Sequence, residues 1–177
     1  MQHNIEFRPL NAKDINLYRD IRIDCLHNYP NNFGTLPENE IQSAELKFDK
    51  VLQQENSLSF LYGTFLKQEL IGICGFTRMN RIKTNHRGEI SQLYVRKEFT
   101  GKGIGKKLLK LTIEKSFSEK SLEFIELGVV NNNLNAIKIY SDLGFVEFGH
   151  HEKYFKFENK YWGFSFLVLS KEVYFEK

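Results

Sequence analysis

Apolar and polar positions alternate, then cycle with a helical period, then alternate again along this chain, and each change of period marks an element. Ile5 to Leu10 alternates over a short run and predicts a strand. From Asp14 to Leu26 the apolar positions fall at Ile15, Tyr18, Ile21 or Arg22, and Cys25, which is helical spacing. A loop containing Pro30 and Gly34 covers Asn28 to Leu36. Thr35 and Glu38 then read as a capping box around Pro37, predicting a second helix that runs past Leu46 to Leu52. Leu58 to Leu66 and Leu70 to Arg78 read as strands, with Lys67-Gln68-Glu69 as the hairpin turn. After a polar loop from Asn80 to Arg87, Glu89 to Val95 alternates again. Ile104 to Phe117 is helical, with Ile104, Leu108, Leu109, Leu111, Ile113 and Phe117 on the apolar side. Glu123 to Val130 predicts a strand, and Asn133 to Leu143 a helix closed by Gly144. Two long aromatic strands, Phe145 to Phe157 and Tyr161 to Ser170, join near Glu158-Asn159-Lys160.

The order is β-α-α-β-β-β-α-β-α-β-β. It predicts an α/β fold: a mixed central sheet of about seven strands with helices on both faces. No repeat, linker or low-complexity tract interrupts it, so one domain is expected over residues 1–177.

Composition narrows the classes. Of 177 residues, 41% are hydrophobic and 27% charged, which is ordinary for a globular chain. No apolar run approaches the roughly 20 residues that a membrane helix needs. Met1 to Arg8 lacks the apolar core of a secretory signal. A cytoplasmic protein with no membrane partner is expected. A net charge of +3 is too weak to argue for nucleic acid. Cys25 and Cys74 offer neither a disulfide framework nor a metal spacing and read as small buried hydrophobes. The five histidines, His150-His151 included, lack ligand spacing, so no metal is expected.

The chemistry concentrates between residues 88 and 107. A strand runs into Thr100-Gly101-Lys102-Gly103-Ile104-Gly105, which opens directly into a helix. A helix start exposes unpaired N–H groups at the positive end of the helix dipole. Glycines let a ligand approach those groups without a Cβ in the way. The combination is a seat for phosphate. A P-loop needs wider glycine spacing and a hydroxyl where Lys107 stands. The dinucleotide fingerprint needs a third glycine where Lys106 stands, although Glu123 falls near the right distance for a ribose contact. The turn also reads as a helix entry with no ligand, for which one glycine would suffice.

Thr100 to Gly105 resembles the pyrophosphate loop of the GNAT superfamily of acyl-CoA-dependent N-acyltransferases. Gly88-Glu89-Ile90-Ser91-Gln92-Leu93-Tyr94-Val95 is similar to that family's central strand. Asn133 to Phe145 is similar to its second motif: an Asn, an Ala three residues on, a Tyr, then Gly-Phe. The element order fits over nearly the whole chain. One departure stands at Thr100, where the family usually places Arg or Gln; Lys102, Lys106 and Lys107 either compensate electrostatically or form a solvated helix face.

The resemblance implies acetyl-CoA as co-substrate and transfer to a primary amine of a small molecule or peptide. It implies donor contacts from Leu93, Tyr94, Val95, Thr100, Gly101, Lys102, Gly103, Ile104, Gly105, Lys106, Asn133 and Tyr140. Asn133 also reads as a helix N-cap. Tyr140 stands where the family places the general acid that protonates the leaving thiolate. Glu89 is the candidate base, acting through water or with a pKa raised by burial, or else a plain strand-end charge. An N–H near Leu93 or Val95 would stabilise the oxyanion. On the acceptor side, Tyr154, Phe155, Phe157, Tyr161, Trp162 and Phe164 are candidates for a pocket, and Glu38, Glu40 and Glu45 for attracting an amine. Two alternatives stay open: a non-catalytic coenzyme A-binding module, and nucleic-acid binding through Lys102, Lys106, Lys107 and Lys110. Dimerisation through the aromatic C-terminal strands is open too.

Overall fold

A computed structural model of the chain describes residues 5–54 and 57–176. The strand β1 (Ile5–Pro9) leads through a short 3-10 turn into α1 (Ile15–Asn28). Asn11 and Asp14 close a capping box at that entry, and Arg8 grips the Asp14 carboxylate with two hydrogen bonds of 2.7 and 2.8 Å.

The helix expected from Thr35 to Leu52 is two short ones, α2 (Pro37–Ile41) and α3 (Asp49–Gln53). Side chains break it between them. The Ser43 hydroxyl donates to the Glu45 carbonyl and accepts from its N–H, while Asp49 Oδ2 takes the Leu46 N–H at 2.8 Å. Such bonds offer the backbone an alternative to the helix. The expected capping box at Thr35 does not form either; Leu36 holds the N-cap position without a side-chain bond, and Pro37 takes N1. Phe48 fills the space over Gly75, where an added Cβ would come within 2.3 Å of its ring.

The strands β2 (Phe60–Leu66), β3 (Glu69–Arg78) and β4 (Arg87–Val95) follow, then α4 (Ile104–Phe117), β5 (Phe124–Val130), α5 (Leu134–Leu143), β6 (Val146–Phe157) and β7 (Lys160–Ser170). A short helix, α6 (Lys171–Phe175), was not expected; the Ser170 hydroxyl caps it by accepting from the Val173 N–H. The β6–β7 turn places Glu158 and Asn159 both at positive φ, the geometry of a two-residue hairpin.

All seven strands form one sheet in the order β1-β2-β3-β4-β5-β7-β6. Only β4 and β5 are parallel. The core divides into two clusters, one on each face. Leu108, Leu109, Ile113 and Phe117 of α4 and Tyr140 of α5 pack with Phe76, Ile90 and Leu127 on one side. Tyr18, Ile21 and Cys25 of α1 pack with Phe48, Leu61, Phe65 and Ile73 on the other. Cys25 and Cys74 are both fully buried.

Two irregularities position everything that follows. The β4–β5 ladder covers only Arg87↔Phe124, Gly88↔Ile125 and Glu89↔Glu126, after which the strands part. Opposite β3, β4 carries a bulge: Ile73 faces Tyr94 while Gly75 faces Ser91, so Gln92 and Leu93 together oppose Cys74. Gln92 sits at φ 58, unusual for a non-glycine residue. The extra residue flips the alternation, so Ile90 joins the α4 cluster while Tyr94 joins the α1 cluster.

Candidate active site

Where β4 and β5 part, a cavity of about 550 Å³ opens. Its walls include Ile90 to Leu93 of β4, Glu126 to Val129 of β5, and Asn133, Ala136 and Tyr140 of α5. Asn133, Ala136 and Tyr140 are spaced i, i+3, i+7, one stripe of a helix. Asn133 caps that helix, its side-chain oxygen accepting from the Ala136 N–H at 3.2 Å. Tyr140 is buried to 7% exposure, and desolvation raises its phenol well above the ordinary tyrosine value. Gly144, at φ 101, ends the helix and lets Phe145 pack edge-on against the Tyr140 ring.

The glycine turn lies at the start of α4. Gly101 and Gly103 adopt φ 74 and 75, the left-handed region that L side chains avoid, so the turn itself requires glycine at both. A Cβ at either would meet nothing within 4 Å. Among the described residues, no hydrogen-bond acceptor engages the backbone N–H groups of residues 101–106; the first helical bond runs from the Lys107 N–H to the Gly103 carbonyl at 3.0 Å. Six consecutive amides at a helix start, with open space before them, form a cradle for an anion.

The side chains around the cradle look elsewhere. The Thr100 hydroxyl donates to the Lys97 carbonyl at 2.8 Å and closes the preceding turn. Lys102 donates to the Glu98 carbonyl, Lys106 pairs with Asp142 at 3.1 Å, and Lys107 rests over the Phe7 ring. The cradle is therefore a backbone device.

Of the strand residues expected at the site, Leu93 lines the cavity. The Tyr94 side chain does not: it faces α1, where its hydroxyl donates to Asp24 at 2.7 Å. Val95 packs beneath the cradle, its Cγ2 3.5 Å from where a Cβ of Gly105 would stand. Glu89 lines the cavity, yet its side chain is 42% exposed and pairs with Lys47 at 3.2 Å.

The opposite wall is aromatic. Tyr154, Phe155 and Phe164 line the cavity as expected, joined by Phe33, Phe148 and Phe166. Tyr154 stacks on Phe164 at 4.7 Å, and Phe155 and Phe166 meet both rings edge-on. β6 carries two irregularities, at residue 148 and at residues 152–154, and Phe148 and Tyr154 border the cavity while staying 56% and 45% exposed. Phe157 and Trp162 line a second, smaller cavity, and Tyr161 lines neither. Glu38, Glu40 and Glu45 line neither: Glu40 is bound bidentately by Arg22, and Glu45 pairs with Lys50.

Sequence reading missed Arg22, Lys47 and Glu126, which all border the cavity. Arg22 looked like a core position of α1 by spacing, and it is buried, with its charge met by Glu40 and its plane over the Phe33 ring at 4.8 Å. Gly128 was the available signal: a glycine inside a strand marks a close approach, and a Cβ there would lie 2.1 Å from Phe164. Among the described residues no cluster of three or more His, Cys, Asp or Glu side chains could hold a metal ion, and no helix is long and apolar enough to cross a membrane.

Known proteins are similar to this chain in sequence and in fold. The chain is 25% identical over 158 residues to spermidine N(1)-acetyltransferase of Vibrio cholerae, covering 86% of this chain and 89% of that one. It is 32% identical over 130 residues to N-alpha-acetyltransferase 30 of Dictyostelium discoideum, covering 67% and 69%. A GNAT-family acetyltransferase structure from Streptococcus pneumoniae superposes with a TM-score of 0.82 at 20% identity, covering 94% of this chain and 99% of that one. The model of the acetyltransferase (GNAT) family matches residues 13–145, and the chain belongs to that family as an acyl-CoA-dependent N-acetyltransferase.

Proposed function

We propose that the chain transfers the acetyl group of acetyl-CoA directly to a primary amine. The observation that carries the reading is the run of unengaged amides at residues 101–106, which follows in the chain from β4, the strand whose bulge borders the cavity that Tyr140 lines. The residues present fit the donor. The amides of Gly101 to Lys106 would hold the pyrophosphate, each charged hydrogen bond contributing roughly 1.5–3 kcal/mol. The unpaired edge of β4 from Leu93 to Val95, together with Asn133, would hold the pantetheine arm. When bound, acetyl-CoA supplies an activated acyl thioester.

The protein's own groups then divide the work. Leu93, left out of the ladder by the bulge, presents its N–H as the oxyanion donor, worth roughly 3–4 kcal/mol in comparable sites. Tyr140 stays protonated across the neutral range because burial disfavours its phenolate, so it offers a proton to the leaving sulfur. Glu89 relays the proton of the attacking amine through water, which suits its half-exposed carboxylate. Burial pushes the thiols of Cys25 and Cys74 up to about 12, so neither is a ready nucleophile, in keeping with direct transfer.

The two curated relatives are named for a polyamine and for a protein α-amine; both acceptors are primary amines. That common chemistry is what we carry over to this chain. The test is a thermal-shift titration with acetyl-CoA followed by thiol release against an amine panel. Saturating donor at a hundredfold excess over Kd should stabilise the fold by about 2.7 kcal/mol. A melting point indifferent to acetyl-CoA would remove the reading. A shift with no thiol released to any amine would leave the non-catalytic coenzyme A-binding module.

A further inference from the structure

We infer that the acceptor is a small amine carried on an aromatic body, and that Phe155 sets the length of that body; the inference rests on the transfer reaction proposed above. Three observations converge on it.

The first is the wall. Phe33, Phe148, Tyr154, Phe155, Phe164 and Phe166 line the acceptor side of the cavity, and the Tyr154 and Phe164 rings already stack face to face. A flat apolar group entering here finds ring faces and edges at van der Waals range.

The second is charge. Four charged side chains border the cavity: Arg22, Lys47, Glu89 and Glu126. Each already has an opposite partner. Arg22 is bound by Glu40, Lys47 and Glu89 hold each other, and Glu126 is held by Arg87. A polyamine brings a further ammonium for every amine that does not react, and any that enters against this aromatic wall leaves water. No carboxylate on this wall is free of a protein cation, so those charges would be desolvated without compensation. An acceptor with a single amine avoids that cost.

The third is a second cavity of about 310 Å³, lined by Pro30, Leu36, Phe157 and Trp162 among others. It shares Phe33, Gly34, Thr35 and Phe155 with the first. Those four border both spaces. The Phe155 ring lies so close to Gly34 that a Cβ there would fall 2.7 Å from its Cε1. Phe155 is thus the end wall of the acceptor site, and the second cavity is room that the ring denies to a longer acceptor.

The experiment compares kcat/KM for 2-phenylethylamine, 4-phenylbutylamine, butylamine and spermidine in the wild-type chain and in Phe155→Ala, with Phe155→Leu as the milder variant. Wild type should prefer 2-phenylethylamine over butylamine and over spermidine by at least about tenfold, within the range that apolar pockets achieve. Removing the ring should raise the 4-phenylbutylamine to 2-phenylethylamine ratio by about tenfold or more in Phe155→Ala, and by less in Phe155→Leu. The acetyl-CoA thermal shift is recorded for every variant, so a misfolded one is recognised and the remaining variant decides. Spermidine as the best wild-type substrate, or a length ratio unmoved in a folded variant, overturns the inference while leaving the transferase reading intact. No acetyl-CoA shift and no turnover in wild type overturns both.

Discussion

The two ends of the active site are built in different ways. The donor end uses backbone amides at one helix start and a single stripe on another helix, so its parts are local in sequence. In the proposed reading, the amides of residues 101–106, the β4 edge from Leu93 to Val95 and Asn133 to Tyr140 would supply it. The acceptor end gathers Arg22 from α1, Phe33 from a loop, Lys47 from a break between helices, and Phe148, Tyr154 and Phe155 from an irregular edge strand. The acceptor wall depends on side chains and bulges, which can change without disturbing the sheet. A change at the acceptor wall therefore need not disturb the glycine turn.

The sharpest way to break the comparison is Gly103→Val. At φ 75 a β-branched residue is strained by roughly 1–3 kcal/mol, and relieving the strain re-aims the amides that follow. Losing two or three charged hydrogen bonds of roughly 1.5–3 kcal/mol each should weaken acetyl-CoA by about three orders of magnitude. Calorimetric titration measures this, with circular dichroism confirming the fold. An unchanged donor Kd would show that the amides are not the cradle.

At the acceptor end the corresponding change is Glu40→Gln. Arg22 is 5% exposed and Glu40 16%. Removing one charge of a buried pair costs about 3–5 kcal/mol because the other charge stays uncompensated. For a chain of this size that lowers Tm by roughly 6–20 °C. Phe33, which lies against the Arg22 guanidinium, should shift with it. The comparison predicts a raised acceptor KM with the acetyl-CoA Kd unchanged. Equal loss at both ends would mean that the two are mechanically one.

Tyr140→Phe stands where the ends meet. It removes one oxygen from a side chain that otherwise keeps its packing against Phe145. A general acid is worth about 100-fold or more, so kcat should fall by about that factor while the KM for acetyl-CoA moves little. Stopped-flow thiol release separates the two parameters. A kcat within twofold of wild type would reassign the acid.

How much of this was legible follows from the same division. Alternation and helical periods gave the seven strands, α1, α4 and α5 within a few residues of their ends, because a local pattern of residues marks each. The glycine turn and the Asn133–Tyr140 stripe were legible for the same reason: their chemistry sits in consecutive or one-face residues. The break at residues 42–48 was not, since it depends on Ser43 and Asp49 bonding to nearby amides in preference to the helix ladder. The β4 bulge was not legible either. Its registration depends on β3 pairing on both sides of Cys74, and nothing in Ser91-Gln92-Leu93 marks the extra residue. Glu40 was read either as an attractor for amines or as an ordinary acidic residue of a helix's first turns. Its partner, Arg22, lies 18 residues earlier, and spacing alone cannot show a charge turned inward.

The smallest expected effect tests the acceptor end most finely. Lys47 sits in the break that sequence could not place, and its ammonium bonds both Glu89 and Ser91, at 3.2 and 3.0 Å. Both members of the ion pair are about two-fifths exposed, at 39% and 42%. Such pairs contribute roughly 0–1 kcal/mol to stability, so Lys47→Met should leave Tm within a few degrees of wild type. Its effect should appear instead in which amines are accepted. Without Lys47, Glu89 becomes a carboxylate at the cavity edge with no protein cation against it, and a second ammonium on the acceptor would find a partner there. The kcat/KM for spermidine should rise relative to 2-phenylethylamine by roughly fivefold, an energy of about 1 kcal/mol, and the rise should shrink as salt screens the charge. If instead both amines lose activity in parallel, Lys47 holds Glu89 in place for the proton relay, and the ion pair belongs to the catalytic apparatus shared by every acceptor.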